Sequence, residues 1–330
     1  MRTRSSVAEI TNDFAWSWSR HQMLYQCARK IYWQYYGSWG GWDAAAPKDA
    51  ALAYRLKQIK SVAMLVGELF HEVVGERLRM RSDAPAPVPV AQIREEVERR
   101  LLKRLRESRN RDWERFGQPK RYAILFEDYY GPGVNAAMSD IAIEQVGVYA
   151  QWLAASPYGR RAFEVPKRRL RIVDPPSFDD KKMVVDGVTV YAAPDLVVED
   201  EQGTLHIVDW KTGKTAKANI AQLSVYGLFV SEKLGAPIER ITAHLVFLAT
   251  GETERHTNLR EGIAEARRMI STYTTDVRAR LTDTGRNLAG DIDQFPMTDD
   301  RSLCRRCNFR ELCGRLDQPP APPPDEDSGG

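Results

Sequence analysis

Apolar residues at helical spacing mark the first half of the chain. The pattern predicts helices in the aromatic-rich residues 1–80, over about 91–116 and over about 134–155. The proline-rich connector "SDAPAPVPV" (82–90) separates the first region from the second.

After "SPYGR" (156–160) the pattern changes to short β-rich runs with turn signals between them. Strands are predicted within 163–173, 183–200 and 204–212. A helix near 218–233, a strand over 241–250 and a long helix near 258–287 follow. This order predicts a mixed α/β core with a helical elaboration in front of it. The proline-rich, acidic residues 317–330 are expected to be disordered.

Composition is that of an ordinary globular protein, with 43% hydrophobic and 28% charged residues in a chain of 330. The net charge of +3 excludes a polycation, but Lys and Arg are dense in 99–121 and in "KRRLR" (167–171). Such stretches can contact phosphate backbones. The alternative, a solvated helix face with interleaved Glu, stays open for 99–121.

No run of residues approaches the length needed to span a bilayer, and residues 1–13 lack the apolar core of a signal peptide. We therefore expect a cytoplasmic protein whose thiols are kept reduced. The four cysteines are then metal or cluster ligands, or plain buried side chains, rather than disulfides.

The stretch "HIVDWKTGKTAK" (206–217) carries two conflicting signals. Gly213-Lys214-Thr215 resembles the end of a phosphate-binding P-loop, but Val208 stands where that loop needs its first glycine. On a strand, Asp209 and Lys211 share one face while Trp210 points to the other. With Asp195 from the preceding run they predict a Mg²⁺ or Mn²⁺ site. The alternative is an exposed hairpin with a surface ion pair.

Three further side chains fit such a site. Gln222 and Tyr226 lie one helical turn apart and can hydrogen-bond a phosphate or a base, although tyrosine at this spacing also serves as core packing. His71 follows Gly67 on a predicted helix. A neutral imidazole would complete a site with Asp195 and Asp209 and favour Mn²⁺, unless His71 is a structural residue.

Taken in order, these residues resemble the motifs of the RecB-type branch of the PD-(D/E)XK nuclease superfamily: His71, Asp195, Asp209-x-Lys211 and Gln222-x-x-x-Tyr226. The resemblance implies a restriction-endonuclease-like mixed sheet flanked by helices. It also implies that His71, Asp195, Asp209 and the backbone carbonyl of Trp210 bind metal. Lys211 would be the catalytic lysine, and Gln222 and Tyr226 would contact DNA near the scissile phosphate.

The cysteines show a second resemblance. Cys304-x-x-Cys307 and Cys313 lie close in sequence, while Cys27 stands alone near the start. Four thiolates can hold either Zn²⁺ or a [4Fe-4S] cluster. The arrangement is similar to the iron–sulfur staple of AddB-type and CRISPR-adaptation nucleases. The resemblance favours [4Fe-4S] over zinc, in a cluster that closes the N-terminal helical part against the C-terminus.

This organisation suggests five segments: 1–80, with Cys27 and His71; a helical insertion, 81–157; the nuclease core, 158–290; the cysteine triplet, 291–316; and the tail, 317–330. The resemblance leaves two stretches unexplained. One is the Arg- and aromatic-rich segment 82–130. The other is "WQYYGSWGGWD" (33–43), which could stack unpaired bases, but for which an aromatic subcore beside the cluster is the favoured role.

The resulting hypothesis is a metal-dependent DNA nuclease, exonucleolytic or directed to flaps and single strands, that acts in repair, recombination or defence. A helicase or recombination protein is a possible partner, and no membrane association is expected. Lys214 and Lys217 are further candidates to face the DNA backbone. Two alternatives remain open: a catalytically silent DNA-binding module of a larger complex, and a zinc-stapled hydrolase of another type.

Overall fold

The computed structural model describes residues 11–213 and 220–317. Lys214 and Lys217, the expected DNA-backbone contacts, lie outside the described residues. The same holds for residues 318–330, which make up nearly all of the tail expected to be disordered.

Helices occupy most of the first half of the described chain and flank the strands of the second half. They are α1 (Trp18–Gln26), α2 (Ala28–Ile31), α3 (Lys48–Leu56), α4 (Val62–Met80), α5 (Val90–Arg109), α6 (Asp112–Arg115), α7 (Phe126–Tyr129), α8 (Ala136–Ala155), α9 (Pro157–Glu164), α10 (Ile220–Leu234) and α11 (Arg260–Arg278). A π-helical stretch, Tyr32–Gly37, continues α2.

The strands are β1 (Trp16–Ser17), β2 (Ile59–Lys60), β3 (Ile124–Leu125), β4 (Leu170–Val173), β5 (Lys182–Val185), β6 (Val188–Tyr191), β7 (Leu196–Glu199), β8 (Leu205–Lys211), β9 (Ile241–Phe247), β10 (Thr253–His256), β11 (Leu281–Asp283) and β12 (Leu288–Ala289). The main sheet has the order β10-β9-β8-β7-β4. Its β8–β9 pair is parallel and its other pairs are antiparallel. A mixed sheet flanked by helices agrees with the predicted α/β class.

The side chains of β8 point alternately into the two large apolar clusters on the two sides of the main sheet. Leu205 and Ile207 face the cluster that includes α10 and α11, whereas Val208 and Trp210 face the cluster formed with α4, α5 and α8. Asp209 and Lys211 therefore share the α10 side of the sheet, and Trp210 points away from them, as predicted.

Helix α4 brings His71 to this sheet. Ser61 caps its N-terminus by accepting a hydrogen bond from the Met64 N–H, at 3.2 Å. An apolar face that includes Phe70 and Val74 is buried in the second cluster. Packing along this face fixes the rotation of α4 about its axis, and hence the direction of His71.

A third apolar cluster joins three distant parts of the chain. It contains Trp33, Leu56, Trp113, Ile124 and Phe309, and Cys307 and Cys313 pack against it. The aromatic subcore predicted beside the cysteines is thus confirmed for Trp33. It is wrong for Trp39 and Trp42, which are exposed.

The prediction that strands begin directly after "SPYGR" is wrong. Residues 157–164 form α9, and the strand of this region starts only at Leu170. Ser156 accepts hydrogen bonds from the N–H groups of Tyr158 and Gly159, and Pro157 occupies the first turn. Ser-Pro is a helix-start signal that outweighs the β-rich composition of "FEVP".

Two predicted helices are shorter than expected. Helix α5 ends at Arg109, because Arg111 adopts a left-handed conformation with φ 54° before α6. Helix α11 ends at Arg278, and residues predicted to continue it form the β11–β12 hairpin. Asp283 accepts a hydrogen bond from the Arg286 N–H in its turn, and Asn287 has φ 51°. Within the described chain, no helix is both long and apolar enough to cross a membrane.

Candidate active site

The end of β8 carries a buried ion pair. Asp209 is only 4% exposed, and its Oδ2 lies 2.6 Å from Lys211 Nζ. This oxygen accepts no hydrogen bond of good geometry from the described residues, so the contact is chiefly electrostatic. A buried carboxylate oxygen without a directed donor is suited to a cation.

Asp195, immediately before β7, bridges α4 and β8. Its Oδ1 lies 2.9 Å from His71 Nδ1, and its Oδ2 accepts a hydrogen bond from the Trp210 N–H at 2.7 Å. The Asp195 carbonyl in turn accepts a hydrogen bond from the Asp174 N–H at 2.9 Å. These contacts fix both carboxylate oxygens and the backbone of Asp195. The Trp210 peptide borders the site while its side chain is buried on the other side of the sheet.

Helix α10 extends the site on the side of Lys211. Lys211 Nζ donates to Gln222 Oε1 at 3.0 Å, and Gln222 Nε2 donates to the Tyr226 hydroxyl at 2.8 Å. Tyr226 is buried. The helical spacing of Gln222 and Tyr226 places them on one face, as predicted, and this face meets the end of β8.

Residues that lie more than 150 positions apart in sequence thus meet in one site. They are His71, Asp195, Asp209, Lys211, Gln222 and Tyr226. Direct contacts connect His71 to Asp195, and connect Asp209 through Lys211 and Gln222 to Tyr226. The Trp210 peptide links the two groups.

Burial and like charge dominate the electrostatics of this site. Burial, reinforced by the neighbouring charge of Asp195, raises the pKa of Asp209 to about 6 even though Lys211 opposes the shift. Burial alone would lower the pKa of His71, but the carboxylates of Asp195 and Asp209 outweigh it and the net pKa is raised. Burial and both carboxylates also hold the pKa of Tyr226 well above its usual value. Burial thus disfavours the ionised form of Asp209, and the two neighbouring carboxylates favour cations beside them.

The donor chemistry of this site fits a hard divalent cation, since two carboxylates and an imidazole converge from three elements. Their atoms are nevertheless engaged with each other, His71 with Asp195 and Asp209 with Lys211. Among the described residues, no three His, Cys, Asp or Glu side chains form a group that could itself hold a metal ion. A cation bound here would share these donor atoms with their present partners or displace them.

Several supporting residues were not predicted from the sequence. The Tyr149 hydroxyl on α8 donates to the Thr212 carbonyl at 2.6 Å, and the Lys211 carbonyl accepts the Leu248 N–H at 2.7 Å. Gly67 lets α4 approach the end of β8, because a Cβ at this position would lie 2.7 Å from Thr212 Oγ1. A glycine one turn before His71 was the available sequence signal for this close approach.

The four cysteines surround one small cavity. Cys27 lies between α1 and α2, and Cys304, Cys307 and Cys313 approach from the C-terminal segment. Arg315 donates to Cys304 Sγ at 3.1 Å. Burial, together with the proximity of Cys307, raises the pKa of Cys313 to about 11, and burial also raises the pKa of Cys307. The thiols share a cavity, but they too are not a preformed metal-binding group within the described residues.

Hydrogen bonds also join the first helices to the C-terminal segment next to the cysteine cavity, and we call these contacts of Arg29 with Phe295 and Pro296 the joint. The Arg29 N–H donates to the Pro296 carbonyl at 3.0 Å, and Arg29 Nε donates to the Phe295 carbonyl at 2.7 Å. The predicted approach of the first helices to the C-terminal cysteines is therefore present in the structure, whereas the cluster itself stays a prediction.

The two basic stretches are partly paired. On α5, Arg100 contacts Glu76 and Glu96, and Arg104 contacts Glu107. In "KRRLR", Arg169 and Arg171 contact Glu201 and Glu199. In 99–121 half of the cations thus belong to a solvated ion-pair surface, the alternative left open for this stretch. Arg115, Lys120 and Arg121 have no acidic partner among the described residues.

Comparison with known proteins gives one family. The family model described as the PD-(D/E)XK nuclease superfamily matches residues 15–314. No curated protein matches the chain.

Proposed function

The chain belongs to the PD-(D/E)XK nuclease superfamily, and on that premise we propose that it is a metal-dependent deoxyribonuclease that hydrolyses phosphodiester bonds. Members of this superfamily are usually nucleases that act on DNA and typically use divalent metal ions. The observation that carries the proposal is the connected set of contacts from His71 to Tyr226, with Asp195, Asp209 and Lys211 at its centre.

We assign the metal ligands to Asp195, Asp209 and His71, joined by the backbone carbonyl of Trp210. Each side chain contributes a donor that Mg²⁺ or Mn²⁺ accepts, and the imidazole favours Mn²⁺. When bound, such an ion supplies Lewis-acid stabilisation of phosphate charge and a more acidic water.

Lys211 is proposed as the catalytic lysine. Its ammonium lies between Asp209 and Gln222, so its position is fixed before substrate arrives. From there it can orient an attacking water and stabilise charge that develops on the phosphate. Gln222 and Tyr226 hold this lysine, and we propose that they also contact DNA near the scissile phosphate.

Resemblance to RecB-type nucleases leads us to propose exonucleolytic or flap cleavage of single-stranded DNA, in repair, recombination or defence. Since no P-loop is present at Gly213-Lys214-Thr215, any unwinding would come from a partner such as a helicase or recombination protein.

The cysteine cavity is proposed to hold a [4Fe-4S] cluster with a structural role. Thiols are suitable ligands for either iron–sulfur or zinc, and the resemblance favours iron–sulfur. Anaerobically purified protein should be brown, absorb near 400 nm as iron–sulfur proteins do, and contain iron and sulfide. A colourless protein with stoichiometric zinc would show that the cysteines bind zinc instead of an iron–sulfur cluster. That result would not affect the nuclease proposal.

The nuclease proposal is tested with end-labelled single-stranded, flap and duplex DNA in the presence of Mg²⁺ or Mn²⁺. We expect Asp209→Ala and Lys211→Ala to abolish cleavage, since removing a central catalytic group typically costs about a hundredfold or more. Asp299→Ala, at an exposed carboxylate, is the matched control and should cleave normally.

Circular dichroism spectra of both variants, and the metal bound by their cysteines, should match the wild type, so that loss of cleavage reports on chemistry rather than folding. A wild-type protein that binds DNA but cuts none of these substrates would instead support the silent binding module.

A further inference from the structure

Two surface segments that the nuclease resemblance leaves unexplained meet in the structure. Residues 33–43 and 111–125 both attach to the third apolar cluster, through Trp33 on one side and Trp113 and Ile124 on the other. Ile59 pairs with Ile124 in the parallel β2–β3 ribbon, which ties the end of α3 to the insertion. A cleft lined by Lys60, Lys120 and Tyr122 lies between the start of α4 and the second segment.

Large aromatic side chains are exposed on both segments. Phe116 is 50% exposed and stacks on Tyr122, with ring centroids 5.4 Å apart and planes at 29°. Trp42 is 43% exposed and meets the exposed Trp39 edge to face at 5.0 Å. Single exposed aromatics need no explanation, but two ordered pairs on joined segments form a surface with preset ring orientations.

Positive charge lies beside the Phe116–Tyr122 pair, with Arg115 over the Phe116 ring and Arg121 over the Tyr122 ring. Residues 111–122 contain four basic and two acidic residues, and Glu114 is paired with Arg111. Arg115, Lys120 and Arg121 are exposed, and no acidic group of the described chain lies within ion-pair distance of them. Lys57 lies over the Tyr54 ring, and Tyr54 in turn contacts Trp42. Burial lowers the pKa of Lys57, and the positive charge of Lys120 lowers it further, so Lys57 and Lys120 lie near each other.

This combination matches the chemistry of an unpaired nucleic-acid strand. Unpaired bases offer π-faces that stack on aromatic rings, and their phosphates are attracted by nearby Lys and Arg. A duplex hides the faces of its bases and offers only phosphates. Exposed aromatic rings beside cations that lack acidic partners therefore favour a single strand over a duplex.

We propose that the surface formed by Trp39, Trp42, Phe116, Tyr122, Arg115 and Lys120 is a binding surface for single-stranded DNA, separate from the residues that cut it. The identity of the nucleic acid as DNA rests on the proposed nuclease function. The cleft beside this surface borders α4, the helix that carries His71, through Glu68 and Glu72. Glu68 pairs with Lys60, whereas Glu72 shares Arg100 with Glu76 and Glu96. The side of the cleft at α4 is therefore acidic, and the positive charge of the surface lies on the side of Lys120.

Binding is measured by fluorescence anisotropy in EDTA, which prevents metal-dependent cleavage, with labelled oligothymidylate and a duplex of the same length. Phe116→Ala should weaken binding of the single strand about tenfold, a typical loss for one stacked base. Phe116→Tyr should retain wild-type affinity, because the ring is kept. Phe178→Ala, at an aromatic side chain 78% exposed on another part of the protein, is the matched control and should have no effect.

Charge reversal gives an independent test. The double variant Arg115→Glu/Lys120→Glu should weaken binding and make log Kd less dependent on log salt, by about 0.7 for each phosphate that the variant no longer neutralises. The double variant Lys182→Glu/Arg286→Glu, at two exposed cations on β5 and in the β11–β12 turn, makes the same change in net charge and should have a smaller effect.

The outcomes separate this proposal from the nuclease proposal. Unchanged single-strand affinity in Phe116→Ala and in the double variant would overturn the surface, whether or not the protein cuts DNA. Equal weakening of single-strand and duplex binding by Phe116→Ala would overturn the stacking role. Wild-type protein that binds oligothymidylate through this surface but cuts no DNA would support the proposed binding surface and contradict the nuclease proposal.

Discussion

The ionised form of Asp209 is disfavoured in the candidate site, first by burial and then by the neighbouring charge of Asp195. Asp209 is buried beside Asp195, and the two cations nearby, Lys211 and a protonated His71, do not restore its ordinary pKa. Charge held in this way destabilises the fold in the absence of a further cation. The same charge favours binding of a divalent ion.

We predict that Asp209→Asn is more stable than the wild type at pH 8 without metal. The raised pKa means that Asp209 favours folding below its unfolded value of 3.8, and that this contribution is lost as pH rises through about 6. The variant, which cannot ionise, should therefore gain on the order of 1–3 kcal/mol at pH 8 and little near pH 4. Thermal unfolding at the two pH values measures this, with Asp299→Asn as control. A variant less stable than wild type at pH 8 would contradict the argument.

Added Mn²⁺ should raise the unfolding temperature of the wild type but not that of Asp209→Asn. An ion that binds only the folded state stabilises it in proportion to the logarithm of its concentration over Kd. Titration of Mn²⁺ in a thermal-shift assay provides a readout that needs no substrate. Equal shifts in both proteins would mean that Mn²⁺ binds elsewhere.

Some site residues were accessible to sequence reasoning because local periodicity fixes their direction. Strand alternation placed Asp209 and Lys211 on one face, and helical spacing did the same for Gln222 and Tyr226. Tyr149 was not accessible, because its hydroxyl reaches the Thr212 carbonyl, and a backbone acceptor leaves no pattern in the sequence.

At the scale of elements, the position of Gln222 depends on how α10 packs against α11. Gly262 on α11 allows the close crossing: a Cβ there would lie 2.1 Å from Ser224 Oγ and 3.1 Å from Ser224 Cβ on α10. Ser224 is fully buried, and its hydroxyl donates to the Ile220 carbonyl at 2.8 Å. The helices have no room for even one added methyl group at this point.

Gly262→Ala should therefore lower the free energy of unfolding by about 1–3 kcal/mol, the usual cost of overpacking. Denaturant unfolding measures the loss, and Ala264→Val on the exposed face of the same helix should change little. Ser224→Ala should partly rescue Gly262→Ala by removing the nearest atom. Additive losses in the double variant would show that the two residues do not meet as described.

Element boundaries were predicted less well than element types, for identifiable reasons. Helix α9 was missed because β-rich composition was weighted above the Ser156-Pro157 helix start. The β11–β12 hairpin was missed because helical periodicity continues up to its first residues, and its turn depends on left-handed Asn287. Both signals are a few residues long and are easily outweighed by longer patterns.

For the whole molecule, the cysteine cavity joins the first helices to the C-terminal segment. If one cluster holds all four thiols, each ligand is needed for the same stabilisation. We predict that Cys307→Ala lowers the unfolding midpoint by at least about 5 °C. Cys27→Ala should do the same, and the double variant should be no worse than either single one. Calorimetry of the three proteins, purified anaerobically, measures this. Unchanged melting, or fully additive losses, would contradict a shared structural cluster.

The joint of Arg29 with Phe295 and Pro296 also determines how the protein responds to mechanical force. Tension applied between residues before Cys27 and residues after Cys313 would act on this joint together with other contacts of the first residues, such as the β1–β6 pairing and the Asn287–Asn12 hydrogen bond. The share of the tension that the joint carries does not pass through β8 and its catalytic candidates. Pulling on the two ends of the protein would thus put less load on the central sheet while this joint holds.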